Sequence, residues 1–150
     1  MAMRTKGRRQ ARILLVEDNP GDVRLVREAL LLGEVSHQLH VVGDGVAALE
    51  FLQRRGDYAD ASRPDLVLLD LSLPRMDGQT LLRLIKADDA LHRIPVVVFT
   101  TSNSQQDIAT SYGLRANAVV TKPLDFDAFV AAVRGIEEFW FGAAALLPPC

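Results

Sequence analysis

Five short apolar runs punctuate the chain: ILLV (13–16), LHVV (39–42), LVLL (66–69), PVVVF (95–99) and NAVVT (117–121). Each is rich in Val, Ile or Leu and too short for a helix. Each therefore predicts a strand buried on both faces. Segments with helical spacing separate them. Residues 20–33 place Val23, Val26, Ala29 and Leu30 on one face, with Pro20 in the first turn and Gly33 at the end. Residues 45–56 carry Val46, Leu49 and Leu52, and residues 78–87 carry Leu81, Leu82 and Ile85. A fourth helix is expected over 104–113, with Ile108 and Tyr112 and closed by Gly113. A fifth is expected over 125–140, where Phe126, Phe129, Val130, Val133, Ile136 and Phe139 or Trp140 recur at helical intervals behind an Asp125 cap. Strand and helix alternating five times predict an α/β fold, a doubly wound five-stranded parallel sheet with helices on both faces. The loop 53–64, QRRGDYADASRP, is polar and longer than usual.

In such sheets the working groups lie at the carboxyl ends of the strands. The first strand delivers Glu17 and Asp18, then Asn19. The third delivers Asp70, the fourth Thr100 and Thr101, and the fifth Thr121 and Lys122, then Pro123. With the first and third strands adjacent at the sheet centre, three carboxylates converge. They repel and raise one another's pKa unless a cation relieves them. Oxygen-only ligands suit Mg²⁺, and Lys122 supplies an ammonium. Taken singly, a strand-end Asp is often a helix cap or turn former. Together these residues form a phosphoryl-transfer set. In that set Asp70 can act as nucleophile on phosphorus, metal and Lys122 can neutralise the transferring oxygens, and Thr100 supplies a hydroxyl donor.

Composition narrows the partners. The chain has 150 residues, 49% of them hydrophobic and 24% charged, which suits one globular domain with a full core. A net charge of −2 gives no global case for nucleic acid or a membrane surface. Arg4, Lys6, Arg8, Arg9 and Arg12 do crowd the start, as a solvated arm or as one that touches an acidic partner. The single cysteine, Cys150, can build neither an internal disulfide nor a zinc cluster, as suits a reducing cytoplasm. No run approaches the ~20 apolar residues of a membrane span. Ile13 to Val16 is too short for a signal-peptide core.

Four stretches then stand together: ILLVEDNPGD (13–22), LVLLDLSLPRMDG (66–78), PVVVFTTS (95–102) and TKP (121–123). Asp70 lies 30 residues before Thr100 (100 − 70) and 52 before Lys122 (122 − 70). In these motifs and intervals the chain resembles the receiver domains of two-component response regulators, over about residues 10 to 140. The resemblance implies the flavodoxin-like or CheY-like strand order 2-1-3-4-5. It implies Asp70 as phosphoacceptor, Asp18 as a direct Mg²⁺ ligand, Glu17 acting mainly through water, and the backbone carbonyl of Ser72 as a further metal ligand. It makes Thr100 the switch hydroxyl, Lys122 the phosphate-binding lysine, and the Lys122–Pro123 bond cis. Ser72 and Ser102 fall where the family tunes hydrolysis. One position departs: the family usually places an aromatic three residues before the lysine, where this chain has Val119. Output is then expected to rely on the fourth helix and the Thr100 shift.

A narrower likeness, in LLVEDNPGDVRLVREAL, YADASRPDLVLLDLSLPRMDG, IPVVVFTTSNSQQDI and IEEFWF, is to stand-alone regulators that pair with phytochrome-type sensor histidine kinases. The implied division is a basic arm (1–9), a receiver domain (10–140) and a tail (141–150). Only ten residues (150 − 140) follow Trp140, too few for a helix-turn-helix output domain, so the signal is expected to leave through protein contacts. The expectation is a regulatory phosphoacceptor rather than a turnover enzyme, one that supports its own dephosphorylation. Phe139, Trp140, Phe141, Leu146 and Leu147 are candidates for an apolar patch, or else pack back on the core. A homodimer through helix 4, strand 5 and helix 5 is expected.

Three other readings compete. GDGVAA (43–48) fits the dinucleotide-binding pattern but leaves Glu17, Asp18, Thr100 and Lys122 without a role. A phosphatase of the haloacid dehalogenase type wants a second Asp two residues after the nucleophile, where this chain has Ser72. A receiver fold kept as a phosphate-independent binding module is the third.

Overall fold

Backbone amides in the apolar runs find their partners in neighbouring strands, and the result is one sheet. A computed structural model describes residues 10–33 and 35–143. The strands are β1 (Ala11–Val16), β2 (His37–Val42), β3 (Leu66–Leu69), β4 (Val96–Thr100) and β5 (Ala118–Thr121). All pair in parallel, in the order β2-β1-β3-β4-β5. The helices are α1 (Pro20–Leu32), α2 (Gly45–Gln53), α3 (Gly78–Ala87), α4 (Gln105–Gly113) and α5 (Phe126–Glu138). A 3-10 turn, Gly56–Tyr58, shortens the long polar loop, and a π turn, Phe139–Ala143, extends α5. The predicted arm over 1–9 and the tail residues Leu146, Leu147 and Cys150 lie outside the described residues.

Alternation along the strands splits the core in two. Leu14, Val16, Val67, Leu69, Val96 and Val98 face one side, where α2 and α3 supply Phe51, Leu81, Leu82 and Ile85. Ile13, Leu15, Leu66, Leu68, Val97 and Phe99 face the other, against Val26 and Leu30 of α1 and Phe129 and Val133 of α5. Each such side chain contributes ~1.5–3 kcal/mol on burial. Full burial on both faces holds for β3 and β4 and nearly for β1. The expectation is corrected for β2 and β5. Both are sheet edges, each with a strand on one side only, and they stay half-buried.

Helix starts follow the predicted chemistry. Asn19, Asp44, Asp77, Ser104 and Asp125 each cap the next helix with a side-chain oxygen. The second helix stops at Gln53 rather than 56, because Arg54 turns left-handed at φ 57°. Leu31, Leu32, Phe126 and Phe139 are exposed, so the apolar stripes of α1 and α5 run past the core they cover.

One charge is buried far from the predicted site. Lys86, near the end of α3, donates to the carbonyls of His92 (3.1 Å) and Ile94 (3.0 Å) and to Asn117 Oδ1 (3.1 Å). Arg115 reaches back to the Lys86 carbonyl at 2.6 Å. Burial first, and the Arg115 charge second, hold the Lys86 pKa below its ordinary value. These bonds fasten the end of α3 to the turns leading into β4 and β5. Lys86→Met, which strands the His92 and Ile94 carbonyls while Asn117 Oδ1 keeps the Val96 amide at 2.9 Å, is expected to cost ~2–4 kcal/mol in urea unfolding. An unchanged midpoint would show that these bonds are immaterial.

Candidate functional site

Register places the strand-end groups at one height. Asp70 N–H donates to Val16 O (3.1 Å), Glu17 N–H to Val42 O (3.0 Å) and Lys122 N–H to Thr100 O (2.7 Å). The residues that end β1, β3, β4 and β5 therefore share one rim. Glu17, Asp70, Thr100 and Lys122 are buried there, while Asp18 is exposed. Asp18 thus opens the rim to solvent, and the others form its floor.

The chain leaves β3 through a loop that glycine makes possible. Gly78 N–H donates to Leu71 O at 2.9 Å, folding the start of α3 back on the strand end. A Cβ at Gly78 would lie 2.3 Å from the Asp70 carbonyl oxygen, so no side chain fits. Gly45 is constrained in the same way. A Cβ there would lie 2.2 Å from the Met76 carbonyl oxygen. The GDGVAA stretch therefore serves packing: Gly45 admits the loop of Met76, and Asp44 caps α2 and pairs with Arg75 at 3.3 Å. Ser72 lies exposed on that loop, its N–H 3.4 Å from Asp70 Oδ1.

One oxygen each from Glu17, Asp18 and Asp70 lie within 4.8 Å of one another. The three predicted carboxylates do converge. Lys122 Nζ spends its three protons on carboxylates, at 2.5 Å from Glu17 Oε1, 2.8 Å from Asp22 Oδ2 and 3.4 Å from Asp70 Oδ2. Burial lowers the Lys122 pKa, but the bonds to Asp22 and Glu17 and the charges of Asp70 and Glu17 outweigh it, and the net shift is upward. Glu17 is pushed up to about 7, by burial first, with the Asp70 charge adding to it against the pull of Lys122. Thr100 Oγ1 accepts from Ser102 N–H at 3.3 Å, which leaves the hydroxyl proton available to another acceptor.

Three hard oxygen donors, one of them with its pKa raised by burial and by the neighbouring Asp70 charge, fit a divalent cation. Glu17, Asp18 and Asp70 would hold it, with carbonyls and water completing the shell. Asp22 is the contributor that strand-end reasoning missed. It sits in the first turn of α1, four residues after Asp18, and that turn leans back over the rim to Lys122. Thr101 and Thr121 are exposed. The expected cis bond is corrected: no cis peptide occurs among the described residues, so Lys122–Pro123 is trans. Trans is the lower-energy form. Lys122 is placed by the hydrogen bond that its backbone N–H donates to the Thr100 carbonyl and by its three carboxylate partners.

The family model described as "Response regulator receiver domain" matches residues 13–134. Response regulator Rcp1 of Synechocystis sp. is 46% identical over 134 residues, covering 89% of this chain and 91% of its own. The phosphorylated cyanobacterial phytochrome response regulator RcpA superposes with a TM-score of 0.90 at 47% identity, covering 93% of this chain and 100% of its own. The Mn²⁺-bound form of Rcp1 gives 0.89 at 44% identity, covering 92% and 99%.

A pH signature follows. Glu17 has a folded pKa of about 7 against an ordinary 4.5, so the folded state keeps a proton that the unfolded state releases. Its contribution is greatest below the unfolded value and is lost as pH rises through the folded one. Thermal melts of the metal-free protein should show Tm falling between about pH 5 and about pH 7.5, and Glu17→Gln should flatten that slope. A slope that is unchanged in the variant would assign the effect elsewhere.

Proposed function

The chain belongs to the response regulator receiver family, and we propose that it is the phosphoacceptor of a two-component relay, taking a phosphoryl group from a sensor histidine kinase onto Asp70. One observation carries this reading. A buried aspartate at the tip of β3 sits within a trio of carboxylates and 3.4 Å from a buried ammonium. An Asp70 carboxylate oxygen attacks the phosphorus of a phosphohistidine. The O–P bond forms, the P–N bond breaks, and its electron pair leaves with the imidazole.

Mg²⁺, held by Asp18, Asp70 and the Ser72 carbonyl with Glu17 acting through water, would supply neutralisation of the transferring oxygens. Lys122 lends its charge to the phosphoryl oxygens, and Thr100 turns its hydroxyl proton toward them. The same groups support later loss of the phosphoryl group to water, with Ser72 and Ser102 beside the path. The turn of Thr100 moves α4, and the equilibrium between two arrangements of the α4–β5–α5 face shifts.

A kinase of the phytochrome type is the partner best supported, by the likeness to Rcp1 and to the phytochrome regulator RcpA. We place the protein in the cytoplasm. Among the described residues no helix is long and apolar enough to cross a membrane. We divide the chain into an arm (1–9), the receiver (10–140) and a tail (141–150). The α4–β5–α5 face is also our proposed homodimer surface. In its support, Tyr112, Phe126 and Phe139 are exposed on or beside α4 and α5, with Trp140 edge-on to Phe139 at 5.2 Å. Phe141 turns into the core instead.

Intact mass after incubation with a small-molecule phosphodonor and Mg²⁺ tests the central step. Wild type should gain one phosphoryl group and Asp70→Asn none. No gain in folded wild type would bring the binding-module reading forward. Lys122→Ala should still accept some phosphoryl but lose the change in partner affinity, and an equal change in both proteins would refute the role of Lys122. Light scattering over a concentration series should show a dimer growing in, whereas a monomer throughout would remove the dimer.

A further inference from the structure

Helix α4 is held unlike its neighbours. Among its residues only Ser111 is fully buried, whereas α3 buries Leu81, Leu82, Ile85 and Lys86. Polar contacts fasten α4 instead, one set at each end. Near its start, Asp107 Oδ2 accepts from Ser102 Oγ at 2.7 Å, and Asp107 Oδ1 accepts from Gln79 Nε2 at 3.5 Å. Near its end, the half-exposed Tyr112 accepts the Val119 amide on its hydroxyl oxygen at 3.1 Å.

The direction of that amide matters. Lys122 N–H donates to Thr100 O, across the β4–β5 ladder. The alternation of a parallel ladder then turns the N–H of Val119 away from β4, toward the open side of an edge strand. Tyr112 caps a backbone donor that no strand pairs. At the other end of the same path, Thr100 Oγ1 accepts Ser102 N–H. Contacts thus run without a gap from the candidate site to the sheet edge: Thr100 to Ser102, Ser102 to Asp107, along α4 to Tyr112, and across to Val119.

We propose that the Tyr112–Val119 hydrogen bond is the latch through which this receiver reports the state of Asp70, closed while the aspartate is bare and open once it carries a phosphoryl group. The proposal rests on the phosphoacceptor reading. When the Thr100 side chain swings toward the phosphoryl oxygens, its Oγ1 moves away from the Ser102 amide that it accepts at 3.3 Å. Ser102 carries Asp107 with it. A helix with so little apolar burial shifts as a body, and its far end leaves Val119. Val119 itself has no ring to move, so the hydroxyl of Tyr112 is the group that registers the change. Tyr112 is a positioning residue here and takes no part in the chemistry.

Amide hydrogen exchange on the full chain, read residue by residue, tests this with Mg²⁺ present and with or without beryllofluoride as phosphoryl mimic. In wild type the Val119 amide should exchange about tenfold faster with the mimic bound. In Tyr112→Phe, which keeps the ring and the packing, it should be fast in both states. In Ser102→Ala, which cuts the path upstream, it should stay slow in both. A Val119 amide equally slow with and without the mimic in wild type, while amides around Asp70 and Thr100 respond, overturns the latch alone. So does a slow amide in Tyr112→Phe. No response around Asp70 and Thr100 overturns the phosphoacceptor reading and the latch with it.

Discussion

A single buried ammonium organises this protein. Lys122 arrives from β5, Glu17 from β1, Asp22 from α1 and Asp70 from β3, and all meet at one nitrogen. Burying a cation with one partner costs more than the attraction returns, and three carboxylates reverse that balance. The requirement runs outward from there. Four elements must end at one height, which the ladder register and the bonds of Asp70 to Val16 and Lys122 to Thr100 enforce. Displacing any one of those strands would leave a charge in the interior without its complement.

Most of this frame was legible in the sequence. β3 and α3 fall at their expected bounds, and the five strand-end groups reach a common rim, because short β-branched runs and capping residues act locally. What escaped was set by position in space. Asp22 reads as an ordinary first-turn acid of a helix, and only the approach of that turn to the strand-end rim makes it a partner of Lys122. Lys86 sits off the apolar positions named for α3, yet the turns that cover the end of that helix bury it among carbonyls. Apolar runs do not announce how deeply each is buried, so β2 and β5, edges in the strand order that the resemblance implies, were expected to be as buried as the inner strands. The trans form of Lys122–Pro123 could not be read from the local pair Lys-Pro.

The sheet and α4 divide the labour. Strands β1, β3 and β4 are buried on both faces and close-packed, a poor medium for movement. α4 has little apolar burial and hydrogen bonds that can be exchanged one for another. On the proposed reading, a charge added at a rigid rim is felt most by the element with least to lose by shifting. That is why Ser102, at the joint between β4 and α4, matters as much to the geometry as the groups that face the aspartate.

The two crowded glycines have a consequence of a different kind. Where Gly45 meets the Met76 carbonyl and Gly78 meets that of Asp70, the loop after β3 is walled by main chain. A wall of peptide groups has the same dipoles whatever the neighbouring residues become. On the proposed phosphoacceptor reading, descendants of this protein can alter its timing at Ser72, which faces solvent, or at Ser102, which is partly open, while that loop stays as it is. The clock can be reset without rebuilding the case.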